Sequence, residues 1–279
     1  MPVCALKKQI LAGGVLAGVV AAGLSATLAA QLAESIPDFS SHQTVWLHPP
    51  GGEFPNVAGS PSPIHQDPAH PYVGNGSGGQ PTYRIGDVSN PNLKPWAKDV
   101  MKKDNDEVLA GKIAFTARSS CLPAGVPVFM LFGGQPIYFI QTPKEVLLIY
   151  EGDQQLRHIY LDVPHSPNPK SSWYGESVGH YENDTLVVDT IGMNNKTVVD
   201  SYRTPHSDKL HVTERWKLIN EGKTLEVNIK VDDPDTFNQP WSTFQRYQRG
   251  QQMLSEEVCA ENNQHLFDYH IPVANKPDF

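Results

Sequence analysis

The sequence predicts an all-β fold, and three observations carry that prediction. In "TLEVNIKVDD" the residues Leu225, Val227, Ile229 and Val231 alternate strictly with Glu226, Asn228, Lys230 and Asp232, the pattern of a strand that buries one face. From "CLPAGVP" to about Arg249 short β-rich runs are separated by turn residues, and they pair as successive hairpins. No repeat suggests a propeller, so the resulting sheet must close or fold over to protect its edges. An antiparallel up-and-down barrel of the lipocalin-like kind is expected, with a β-sandwich as the alternative.

The hairpins follow in order. "EVLLIY" and "QLRHIYLD" flank a turn around Gly152 and Asp153; "WYGESVGHY" and "TLVVDTIGM" flank Asn183 and Asp184. "KLHVTERWKLI" and "TLEVNIKVDD" flank "NEGK", and "WSTFQRYQR" is a single strand after them. Before this β region, which is assigned to residues 121–279, the span 31–120 reads as Pro- and Gly-rich irregular chain that packs on the barrel. It contains one helix, "PNLKPWAKDVMKKDNDEVLAG", with Trp96, Val100 and Met101 near one face and Gly111 as its stop.

Residues 1–30 place Lys7 and Lys8 ahead of an apolar run rich in Gly and Ala that exits at Ala29 and Ala30, the pattern of a secretory signal peptide. This predicts a periplasmic or secreted protein with no membrane association after cleavage. In an oxidising compartment Cys121 and Cys259 are then most simply one disulfide. A formal net charge of -8 without a basic run argues against nucleic acid or anionic lipid as a partner.

Strand parity sorts the polar residues. It places Glu214 with Val212, Trp216 and Leu218 on an inward face, and His211, Thr213, Arg215 and Lys217 on the outer one. The same rule groups Asp189 with Val187, Ile191 and Met193, which puts a second carboxylate inside. Desolvation makes an inward carboxylate costly unless it is paired, hydrogen-bonded or protonated. Arg157, His158, Tyr160, His180 and Arg246 are the candidate partners. Each carboxylate is either part of a buried ion-pair network or a general acid or base lining a cavity; Glu214 is the stronger functional candidate.

In "TPHSDKLHVTERW", His206 with Asp208 suggests an oriented general base on a loop, the alternative being turn hydrogen bonds made by Ser207 and Asp208. His211 and Glu214 point to opposite faces, which disfavours a shared metal ion. His158 alternates with Leu156, Tyr160 and Asp162 on a mixed face. His165 and His180 lie near turns. No phosphate loop, dinucleotide fingerprint, nucleophile elbow, H-E-x-x-H or C-x-x-C motif is present.

Seven segments, "CLPAGVP", "IQTPKEVLLIYE", "RHIYLD", "WYGESVGHYENDTLVVDTIGMNN", "PHSDKLHVTERW", "VDDPDTFNQPW" and "CAENN", together resemble a broad family of exported, largely uncharacterised bacterial proteins. The resemblance spans Cys121 to Asn263. It implies export and an all-β domain, and it marks Glu151, Arg157, His180, Asp184, Asp189, His206, Asp208, His211 and Glu214 for testing without giving them roles.

The expected function is a cofactor-free, metal-free lyase, dehydratase or isomerase acting on a small apolar or aromatic molecule in a barrel cavity. Glu214, Asp189, His206, Asp208 and His180 would carry the acid–base chemistry. Tyr150, Arg157, His158, Tyr160, His211 and Trp216 would position the substrate. A non-catalytic carrier is the first alternative, and a metal-dependent hydrolase the second.

Overall fold

The computed structural model describes residues 36–40, 45–48, 52–72 and 84–259, except 113, 115, 118, 119, 134 and 154. The signal-peptide segment and "AENN" of the last matching segment lie outside the described residues. Among those described, nine strands close into a barrel in chain order. They are β1 (Trp46–Leu47), β2 (Pro136–Gln141), β3 (Glu145–Tyr150), β4 (Gln155–Leu161), β5 (Glu176–Glu182), β6 (Thr185–Ile191), β7 (His211–Ile219), β8 (Thr224–Asp232) and β9 (Trp241–Arg249). The predicted hairpins β3–β4, β5–β6 and β7–β8 are all present. Trp46 and Leu47 complete the ring by pairing with both β2 and β9, so the irregular N-terminal region contributes a stave.

The expectation of a wholly antiparallel barrel is corrected at one joint. Strand directions around a closed ring can alternate throughout only if the number of strands is even. With nine, at least one neighbouring pair must be parallel, and that pair is β4–β5. A parallel neighbour cannot be reached by a tight turn; residues 162–175 carry the chain back along the wall. The joint is also the shortest among β2 to β9: only Ile159, Tyr160 and Leu161 pair, with Ser177, Val178 and Gly179. On the N-terminal side of these pairs β4 and β5 diverge and leave a wedge. Gly175 sits at its edge with φ +66°, where an added Cβ would lie 2.3 Å from the Ile191 carbonyl oxygen, so a side chain is excluded by both backbone conformation and space.

The inner face is a packed apolar core. Trp216 lies against Phe139 and Tyr247, and Val146, Leu148, Ile159, Leu186, Val188, Val212, Val227 and Ile229 are buried around them. The N-terminal region is tied across one side by polar contacts: Thr243 donates to the Pro55 carbonyl and Gln245 to that of Glu53. The helix α1 (Pro95–Leu109) has proline in its first turn, and Gly111 beyond its end has φ +89°. Its buried face is Ala97, Met101, Asn105 and Val108, whereas Trp96 and Val100 are exposed. The expected face is therefore corrected. Asn105 is buried because its amide both donates to and accepts from the Gly86 backbone. Cys121 and Cys259 form a disulfide that closes 138 residues of sequence separation.

The β6–β7 connection is organised by a buried carboxylate. Asp200 accepts from the Tyr202 and Thr204 backbone N–H groups and from the Thr204 hydroxyl. Burial outweighs these bonds and pushes its pKa from 3.8 to about 6. A carboxyl raised on folding binds more protons in the native state between those values. Its contribution to stability is thus present below the unfolded pKa and is lost as pH rises through the folded one. At 1.36 kcal/mol per unit the loss is about 3 kcal/mol. Chemical denaturation from pH 4 to pH 7 should show the wild type losing stability relative to Asp200→Asn by roughly this amount; parallel pH profiles would contradict it.

Candidate functional site

Strand β4 sets the site because its two faces do different work. Arg157, Ile159 and Leu161 point inward and are buried, while Leu156, His158 and Tyr160 point outward and are exposed. The Arg157 guanidinium makes two bonds to Glu214, 3.0 Å to Oε2 and 2.9 Å to Oε1. Its Nε donates to Ser177 and its Nη2 to Thr190. Trp216 Nε1 donates to Glu214 Oε2 at 2.8 Å. Both charged side chains are essentially inaccessible, at 1% and 0%. The inward direction expected for Glu214 and Trp216 is observed. This carboxylate accepts three hydrogen bonds, which makes it a structural anion that links β7 to β4, with β5 and β6 held through Ser177 and Thr190.

Asp189 is not inward. Leu186, Val188 and Thr190 face the core, so Asp189 and half-buried Ile191 lie on the outer wall. The parity error arose because Leu186, Val187 and Val188 are all apolar and all buried, which leaves the period unreadable there. Asp189 accepts from His211 Nε2 and lies 3.7 Å from His165 Nε2. Burial works to raise its pKa, but His211 and His165 outweigh this and leave it lowered; His211 is correspondingly raised by its bond to Asp189. On its other side His165 Nδ1 contacts Glu176 Oε1 at 3.0 Å. Glu176 is held below the usual range by hydrogen bonds from Ser166 and then from His165, against a smaller cost of burial.

The wedge between β4 and the return segment forms a cleft of about 570 Å³. Leu156, His158 and Tyr160 line it from β4; Ser166, Asn168, Lys170, Trp173, Tyr174 and Glu176 are among the residues that line it from the opposite side. Arg157 and Ser177 reach it from the barrel interior. Tyr160 is 46% and Leu156 44% accessible, on either side of His158. The His158 and Tyr160 rings stack with an interplanar angle of 18°. His158 Nδ1 lies 2.9 Å from Glu145 Oε2. A carboxylate accepts, so this nitrogen donates and Nε2 is left to exchange a proton.

Of the other expected residues, His180 shares an outer-wall cleft with Asp189, and the rest are dispersed. His206 is buried and does not pair with Asp208, which is exposed. Its Nδ1 faces the Ser207 carbonyl and its Nε2 the Thr197 hydroxyl, and burial lowers its pKa. The expected dyad is replaced by a loop anchor. The anchor's charged partner is Asp233, which accepts from the backbone and hydroxyl of both Ser207 and Thr236. His180 is an exposed outward residue paired with Glu182 at 3.0 Å. Tyr150 points inward and donates to Gln135.

Glu145, His165, Glu176 and Asp233 were not selected from sequence. The β3–β4 hairpin register could have signalled Glu145: it lies opposite Tyr160, diagonal to His158 on the same face. The others act across loops and carry no periodic signal.

Among the described residues no group of three or more His, Cys, Asp or Glu is arranged to hold a metal ion, and no helix is long and apolar enough to cross a membrane. No family model, curated protein or solved structure matches the chain.

Two measurements check this geometry. Removing either partner of the buried Arg157–Glu214 pair should cost about 3–5 kcal/mol, and Arg157→Met with Glu214→Leu should cost much less than the sum, because the double variant leaves no uncompensated charge. Additive losses in denaturant unfolding would contradict the pair's role. For the outer pair, the raised His211 pKa implies a contribution to stability that is full below 6.5 and is lost as pH rises through the folded value. The lowered Asp189 pKa implies one that is lost as pH falls through its folded value below 3.8. An NMR titration should find His211 above 6.5 in the wild type and lowered by Asp189→Asn; an unchanged midpoint would show that the two do not interact.

Proposed function

We propose that the protein is an exported, small-molecule enzyme of the lyase, dehydratase or isomerase type, and that its chemistry takes place in the β4–β5 cleft on the outer wall of the barrel. The observation that carries this reading is the His158–Glu145 pair: an imidazole oriented by a carboxylate, in a cleft beside exposed Leu156 and Tyr160. In this reading His158 Nε2 takes a proton from the substrate, and Glu145 stabilises the imidazolium that forms. The same proton then returns to another substrate atom in an isomerisation or to a departing hydroxyl in an elimination. Glu176, ionised and hydrogen-bonded to His165 and Ser166, holds polar groups of the substrate. The disulfide is compatible with export.

A non-catalytic carrier is the second reading, favoured by the exposure of Leu156 and Tyr160 and by the full hydrogen bonding of Glu214. One experiment separates the two. Terpenoid and aromatic compounds are incubated with wild type, His158→Ala, Glu145→Gln and Glu214→Gln, and products are followed by mass spectrometry and chiral chromatography. His158→Ala should lower turnover by roughly 10²–10⁴-fold with little loss of stability, whereas Glu214→Gln should lose about 3–5 kcal/mol of stability and leave His158 in place. Ligand recovered bound but chemically unchanged in the wild type would support the carrier; undiminished turnover in His158→Ala would remove the proposed base.

A further inference from the structure

The charges around the cleft are unequally satisfied, and this specifies its ligand more narrowly. Arg157 is neutralised by Glu214 from inside the barrel. Glu176 accepts from Ser166 and contacts His165, and Glu145 pairs with His158. Lys170 also lines the cleft, and among the described residues no carboxylate lies within ion-pair distance of it. The walls are ring surfaces: His158 and Tyr160 stack nearly parallel on the β4 side, and Trp173 lies on the return segment. Asn168 adds an amide to the same rim.

We infer that the cleft takes a planar aromatic carboxylate, its ring against the His158–Tyr160 stack and its carboxylate on Lys170. The inference rests on the reading of this cleft as the functional site and names the class of molecule that occupies it. Stacking on Tyr160 favours a flat ring with a π-face over a puckered one. The ammonium of Lys170 supplies a point charge that a neutral analogue cannot use. The chain as a whole is acidic at -8, so the long-range field does not draw anions to it, and selectivity for the carboxylate must come from this local contact and weaken with salt.

The test is calorimetric titration with 4-hydroxycinnamate, its neutral amide and a saturated cyclohexane analogue of the acid, each against wild type, Lys170→Gln and Tyr160→Ala. In the wild type the acid should bind about tenfold more tightly than the amide, a difference of about 1.4 kcal/mol, and more tightly than the saturated acid. Lys170→Gln should erase the preference for acid over amide, and Tyr160→Ala should weaken both aromatic ligands. Equal binding of acid and amide, or an acid preference that survives Lys170→Gln, overturns the inference. If in that case Tyr160→Ala still weakens both, the cleft remains the binding site and only the carboxylate is wrong. Failure of all three ligands to bind overturns the inference, while the assignment of the cleft falls only if turnover is undiminished in His158→Ala.

Discussion

A ring of nine strands cannot alternate in direction, and much of this molecule follows from that constraint. One joint had to be parallel, and a parallel joint needs a long return connection and is slightly less stable per residue than an antiparallel one. Here the joint is β4–β5 and the return is residues 162–175. The divergence of the two strands makes the cleft, and the return segment supplies its far wall. The site and the irregularity of the barrel therefore share one cause.

The buried ion pair sits where such a joint needs reinforcement. Arg157 comes from β4 and bonds Ser177 on β5, Thr190 on β6 and Glu214 on β7, so one guanidinium spans the parallel junction from inside. Burying a charged pair is not in itself favourable, because desolvation offsets much of the attraction. Its value lies in specificity: with a one-residue slip of β4 the guanidinium would face solvent and leave Glu214 alone in the core. The outer wall repeats the logic at lower stakes, with His165 held between Glu176 and Asp189 and so pinning the return segment.

The closed β architecture, the three hairpins, the disulfide partners and the inward direction of Glu214 were legible because each is written in local period or in the two cysteines that lie beyond residues 1–30. The parallel joint was not, because nothing in "VPHSPNPKSSWYG" states on which side of β4 the chain returns. Asp189 was misassigned because "LVV" gives no alternation to read. His206 and Asp208, two residues apart in sequence, separate because Ser207 between them is held by Asp233, from a loop distant in sequence. The row Leu156, His158 and Tyr160 was recognised as one face, but its outward direction became clear only with Arg157 buried opposite it.

Native-state hydrogen exchange on wild type and Glu214→Gln shows whether Arg157 and Glu214 hold the parallel joint and with it the cleft. In the variant the amides of β4, β5 and residues 162–175 should lose protection first and most, while those of β8 and β9 retain more of theirs. An equal loss of protection around the whole barrel would contradict it, since the pair would then support the fold in general and not this joint.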